Sequence, residues 1–196
     1  MNTIPPCCVI AATLNVRPQV AVVVEVKVNR PPKMDRSSEL LVSTLLTGTV
    51  ASVVSTAALA ALAKAEGKRA MKPANSTSHW LHGDSAASFE GVDVEHTGLG
   101  LATHHASAMF WALPFEAWLA FHPPRSPIEL LRNATVVSAM AAIVDYGIVP
   151  KRLTPGWELS LSKKSMTGAF ASLAIGLAAG ALVSRQLGSN LKNSAG

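Results

Sequence analysis

LLVSTLLTGTVASVVSTAALAALA, residues 40–63, is a run of 24 residues without a charge, closed by Glu39 before it and Lys64 after it. At about 1.5 Å per residue, a helix of this length crosses the roughly 30 Å hydrocarbon layer of a bilayer with some tilt. Residues 165–184 form a second uncharged run, between Lys164 and Arg185. Two further stretches are interrupted only by His104, His105 and Glu116 in 97–121, and by Asp145 in 133–149. The pattern predicts an all-α fold, an integral membrane four-helix bundle with spans at about 40–63, 97–121, 133–149 and 165–184.

Charged residues make up 15% of the 196-residue chain, against a usual share of about 25%. Those present lie mostly between the apolar runs, and with four spans the chain has no room for a separate soluble domain. Its net charge of +5 comes from Lys and Arg that flank the runs rather than gather on one face. That placement fits juxtamembrane anchoring and gives no reason to expect nucleic acid as a partner. The only cysteines are the neighbours Cys7 and Cys8, which offer neither a disulfide framework nor a CxxC metal site.

Residues 1–33 have a different character. No basic region precedes their apolar part, and Arg17-Pro18 divides it into pieces too short to span, so neither a signal peptide nor a fifth helix fits. The valine-rich run 19–28 is compatible with a strand that would have no partner. Two readings stand: a disordered N-terminal extension, or a start site placed upstream of a true initiator at Met34. The membrane domain is then 34–196.

Small residues mark packing faces. In the first span Gly48 and Ser52, followed by Ser55 or Thr56, return to one face at steps of three and four. In the fourth, Gly168, Ser172, Gly176, Gly180 and Ser184 recur every four residues. Where lipid gives no hydrophobic drive for association, such a ladder lets helix backbones approach closely. It predicts a helix contact with the first span or with a second copy of the chain, and leaves Ala178, about 160° round the axis from Gly180, away from that contact.

Four ionisable residues within the spans, His104, His105, Glu116 and Asp145, are the candidate intramembrane polar site, since such groups are expensive in lipid. His105 and Glu116 stand eleven residues apart, about 20° from alignment and roughly 16 Å along the axis, sharing a face with Met109 and Ala112. Pro114 predicts a kink near mid-membrane. Structural roles compete: histidines bonding to serines of the first helix, or Asp145 reaching out to Lys151 or Arg152. In the loop 64–96, His79, His82 and His96 are candidate metal ligands by spacing, without a cysteine or carboxylate at diagnostic distance. Trp80 and Leu81 suggest instead a segment lying on the membrane surface.

After the third span comes Val149-Pro150-Lys151-Arg152-Leu153-Thr154-Pro155-Gly156-Trp157-Glu158, a turn-rich loop with a basic pair and a tryptophan anchor. This loop, with Asp145-Tyr146, Thr103-His104-His105 and Phe110-Trp111-Ala112, resembles a set of small four-span inner-membrane proteins of proteobacteria known as hypothetical proteins. The resemblance covers most of the chain from Met34 onward. It implies a multi-pass protein of the bacterial inner membrane and carries no activity with it.

Orientation follows from Lys and Arg. Loops one and three hold eight (Lys64, Lys68, Arg69, Lys72, Lys151, Arg152, Lys163 and Lys164). From Met34 the opposite side holds five (Arg36, Arg125, Arg132, Arg185 and Lys192), and nine if Arg17, Lys27, Arg30 and Lys33 are counted. Counted from Met34, both termini face the periplasm. Three function classes fit: a structural or accessory membrane protein working through helix contacts, which the small-residue faces favour and which needs no cofactor; a proton- or ion-linked transporter using the His/Glu/Asp set; and a His-ligated metal or haem protein. Partners in every case are the bilayer and, through the small faces, a second copy or another membrane protein.

Overall fold

The computed structural model describes residues 35–194, with side chains through Asn190; the valine-rich run 19–28, Cys7 and Cys8 lie outside the described residues. Among the described residues all regular structure is helical. Helix α1 (Arg36–Ala65) opens where Asp35 accepts the Ser38 N–H at 2.8 Å. Two short helices follow, α2 (Lys72–Thr77) and α3 (His79–His82), then a 3₁₀ turn (Asp84–Ser88) and a π turn (Val94–Gly98) that leads into α4 (Leu99–Phe121). Helix α5 (Pro127–Ile143) runs on into a π turn (Val144–Ile148); 3₁₀ turns at Lys151–Leu153 and Trp157–Leu159 connect it to α6 (Lys163–Ser194).

All four apolar runs are helices, and two extend well beyond the runs that announced them. α5 starts at Pro127 rather than at 133, because Ser126 Oγ accepts the Glu129 N–H at 3.2 Å and proline suits a first turn. Glu129 and Arg132, which look like flanking charges, are therefore helical. α6 likewise continues past Ser184. Three helical segments, Arg36–Ala65, Pro127–Ile148 and Lys163–Asn190, are long and apolar enough to cross a membrane. The 23-residue α4 is long enough, but its histidines and Glu116 keep it below that apolarity.

α1 is the central helix, with α6 against one face and α4 against another, while α5 packs on α6. Both α1 contacts are approaches of backbone to backbone. A Cβ placed on Gly176 would lie 2.7 Å from Ala51 Cα, and one on Gly180 would lie 2.6 Å from Thr47 Cα. On the other face a Cβ on Gly48 would lie 2.8 Å from Met109 Cα. The ladder on α6 meets α1 within the chain. Its close part is Gly180 and Gly176 with the buried Ser172; a Cβ on Gly168 would make only ordinary contact with the Leu62 side chain at 3.4 Å. Ala178, expected away from the packing face, is buried in the core with Ala134, Leu173 and Ala181, because α5 covers the opposite flank of α6.

A further tie joins α1 to α6 at their polar ends. Glu66, which ends α1, accepts the Ser162 N–H at 3.1 Å and the Ser165 hydroxyl at 2.5 Å, and pairs with Lys68 at 2.7 Å. Lys68 also donates to the Ser160 carbonyl. The carboxylate thereby meets N–H and O–H groups at the start of α6, where a negative charge is favoured. Its pKa is lowered to about 2, by Lys68 first and then by Ser162 and Ser165. Since the folded value lies below the unfolded one, this contribution is complete above about pH 4.5 and fades as pH falls toward 2. Thermal melts of Glu66→Gln in detergent are expected to show a lower Tm than the parent at pH 6, with a gap that narrows below about pH 4.5 and closes as pH approaches 2. A constant gap across that range would assign the stabilisation to packing rather than to charge.

Candidate functional site: an aromatic cavity beside two polar seams

The polar residues of α4 divide into two interhelical contacts with α1. His104 Nε2 lies 2.9 Å from Ser55 Oγ, and Thr47 donates to Glu116 Oε1 at 2.5 Å. All four side chains are buried, in two polar contacts along the α1–α4 boundary, their hydrogen bonds supplied by partners that a lipid environment would not offer. The histidine facing α1 is His104, while His105, expected to share a face with Glu116, is half-buried and lies off the seam. The cause is the course of α4, whose buried face runs through Gly100, His104, Ala108, Trp111, Phe115 and Leu119, with Ala112 and Glu116 at its edge. About 18 Å of helix separates His104 from Glu116.

Beyond His104 the bundle opens into a cavity of about 190 Å³. Its wall includes Trp80, Trp111, Trp157, Phe170, His104 and Asp145. His104 and Asp145 are thus brought to one space; His105 and Glu116 are not part of its lining. Trp157 stands edge-on to His104, with ring centroids 5.6 Å apart, and 5.4 Å from Phe170. The expected reach of Asp145 to Lys151 or Arg152 does not occur. Arg152 Nε donates instead to the Trp80 carbonyl at 3.0 Å, and Asp145 forms no ion pair among the described residues.

One side of the cavity is closed by the loop after α5, pinned to α2 and α3. The ring of the buried His79 spans the Ser76 and Lys151 carbonyls, 3.1 Å from each. Gly156 reaches φ 79° and passes so near Ser76 that an added Cβ would collide with its carbonyl oxygen. Thr154 donates to Glu158 Oε1, and Trp80 Nε1 donates to Thr103 Oγ1 at 3.2 Å. The segment around Trp80 is therefore built into the protein rather than lying free on a surface, although Leu81 stays 55% exposed.

Asn75 completes this cap. Its amide donates to the Phe89 and Gly91 carbonyls at 3.0 Å each and accepts from Thr97 at 2.6 Å, fixing the start of α4. The sequence offers no periodic pattern that singles Asn75 out. Of the candidate ligand histidines, His82 and His96 stack at 4.6 Å, and Phe89 covers the other ring of that pair, 4.1 Å from His96. His96 Nδ1 is 3.0 Å from Asp93 and His82 Nε2 is 3.1 Å from the Glu95 carbonyl; His79 belongs to the other contact. Among the described residues no three His, Cys, Asp or Glu converge as a metal site.

No family model, curated protein or solved structure matches this chain.

Proposed function

We propose that the chain is a four-span membrane protein of the bacterial inner membrane whose role is structural or accessory, exercised through helix contacts rather than catalysis. The observation that carries this reading is how α4 divides its surface. Its imidazole and carboxyl groups at His104 and Glu116 are spent on Ser55 and Thr47, while Phe110, Leu113, Trp118 and Phe121 face outward. A helix whose buried polar groups are paired can cross lipid despite a moderate overall apolarity, with His105 of α4 left half-buried beside the seam. The other three long helices add exposed Val53, Met140 and Ile175 to the same apolar exterior. A proton or ion path is supported less well, because Glu116 stands apart from the cavity that His104 and Asp145 share.

The test uses single cysteines in a background lacking Cys7 and Cys8, labelled in intact membranes by a water-soluble maleimide. Ser78 and Thr154 are loop positions but buried, so Ser85, Arg125 and Lys151 are the informative water-facing sites. These are expected to label. Val53, Phe110, Met140 and Ile175, each more than half exposed on the protein surface, are expected to stay unlabelled until detergent or denaturant removes the lipid. Ready labelling at Phe110 alone would reduce the topology to three spans; labelling at all four would end the membrane reading.

A further inference from the structure

Three of the chain's four tryptophans converge on one cavity, and this is not what an interfacial tryptophan belt produces. Belt residues sit on the outside of a protein at headgroup level, and of the four tryptophans Trp118 is the one on the outside, at 52% exposure. Trp111 and Trp157 are instead buried, at 9% and 3%, and with Trp80 and Phe170 they line one partly open cavity. At about 190 Å³ that space exceeds the roughly 150 Å³ of a cavity that holds a benzene-sized guest.

Two polar groups of the wall are unspent. Asp145 carries no hydrogen bond and no ion pair among the described residues, although Lys151 and Arg152 are only a few positions away in the chain. The charged group that interacts with it is the carboxylate of Glu158, of its own sign. The Nε1–H of Trp157 is buried without an acceptor, whereas that of Trp80 is bonded to Thr103. A carboxylate beside several indole faces is an arrangement that attracts a cation, and most of all a poorly hydrated one whose apolar groups gain from burial. The unpaired donor calls for an oxygen acceptor on the same guest.

We propose that this cavity binds a small alkylammonium group bearing an oxygen acceptor, its positive charge held by Asp145 among Trp80, Trp111 and Trp157, and its oxygen by the Trp157 N–H. The proposal goes beyond the accessory role and stands whether or not that role is correct. A free organic cation and the headgroup of a phosphatidylcholine or phosphatidylethanolamine lipid present the same chemistry.

The probe is choline, read by the intrinsic tryptophan fluorescence of the full chain in maltoside detergent. Choline is expected to change the emission saturably, whereas its neutral isostere 3,3-dimethylbutan-1-ol and matched sodium chloride leave it unchanged. Asp145→Asn is expected to weaken choline by roughly tenfold or more, the scale set by losing a charged partner. Circular dichroism and gel filtration check that the variant is folded; if it is not, the comparison of choline with its isostere in the native chain decides alone. Nanodiscs separate the two sources. A free-cation site responds to choline equally in phosphatidylcholine and phosphatidylglycerol discs, while a headgroup site responds only in phosphatidylglycerol, being already filled in the other. An equal response to the neutral isostere, an undiminished response of folded Asp145→Asn, or no saturable response in detergent overturns the proposal.

Discussion

Gly176→Leu and Gly180→Leu are each expected to lower the thermal stability of the purified protein sharply, and Ala171→Leu to leave it nearly unchanged. At Gly176 and Gly180 even a methyl group would meet backbone atoms of Ala51 and Thr47 within 3.0 Å, and backbone cannot rotate aside as a side chain can. The helices must separate, and every dispersion contact along the α1–α6 seam weakens together. Overpacking of this kind costs about 1–3 kcal/mol, and a rigid neighbour places these two sites at the upper end. Ala171 lies exposed on the same helix and supplies equal bulk without a neighbour in the way. Melts in detergent, followed by circular dichroism, provide the measurement. Equal Tm values for all three variants would show that α6 does not depend on this seam.

Gly156→Ala is expected to have an effect of similar size through a different cause. The residue holds φ 79°, a region where an L side chain costs about 1–2 kcal/mol. Its added methyl would also strike the Ser76 carbonyl and the His79 ring. Relief requires the loop to lift from α2 and α3, which carries Trp157 with it and opens the aromatic cavity. The expected signature is therefore a fall in Tm together with a red shift and greater iodide quenching of tryptophan emission. For Gly176→Leu the Tm falls with a smaller change in quenching, since Gly176 meets Ala51 and Val54 whereas Trp157 packs about two turns further along, against Leu59, Ala63 and Ala169. A Gly156→Ala protein with native emission would mean that the loop accommodates the methyl in place.

What could be read before the fold was known depended on how many residues carried each message. The run 40–63 signals a helix through every one of its residues, so its existence did not depend on any single position. The every-fourth-residue ladder on α6 likewise marked a packing face, though it could not reveal that Gly168 is loosely met while Gly176 touches backbone. Span ends were less legible. Glu129 and Arg132 are charged residues that the first turns of a helix accommodate, and the start of α5 is set by Ser126 and Pro127, a local cap rather than a change in apolarity.

The candidate site was legible only in its ingredients. His104 and Asp145 stand out in a sequence because charge or imidazole is expensive inside an apolar run, and that penalty is a property of the residue alone. Which of His104 and His105 faces α1 is a matter of a single 100° step, settled by how α4 lies in the bundle rather than by its composition. The convergence of Trp80, Trp111 and Trp157 joins three segments far apart in the chain, and the role of Asn75 rests on carbonyls of Phe89 and Gly91 that any residue type could present. The sequence by itself determined that the chain forms long apolar helices with small-residue faces, because those properties are sums over local, periodic terms. The tertiary structure alone decided which backbones touch, which polar groups find partners and that a cavity remains between them, because contact and enclosure depend on the relative placement of segments that no local term encodes.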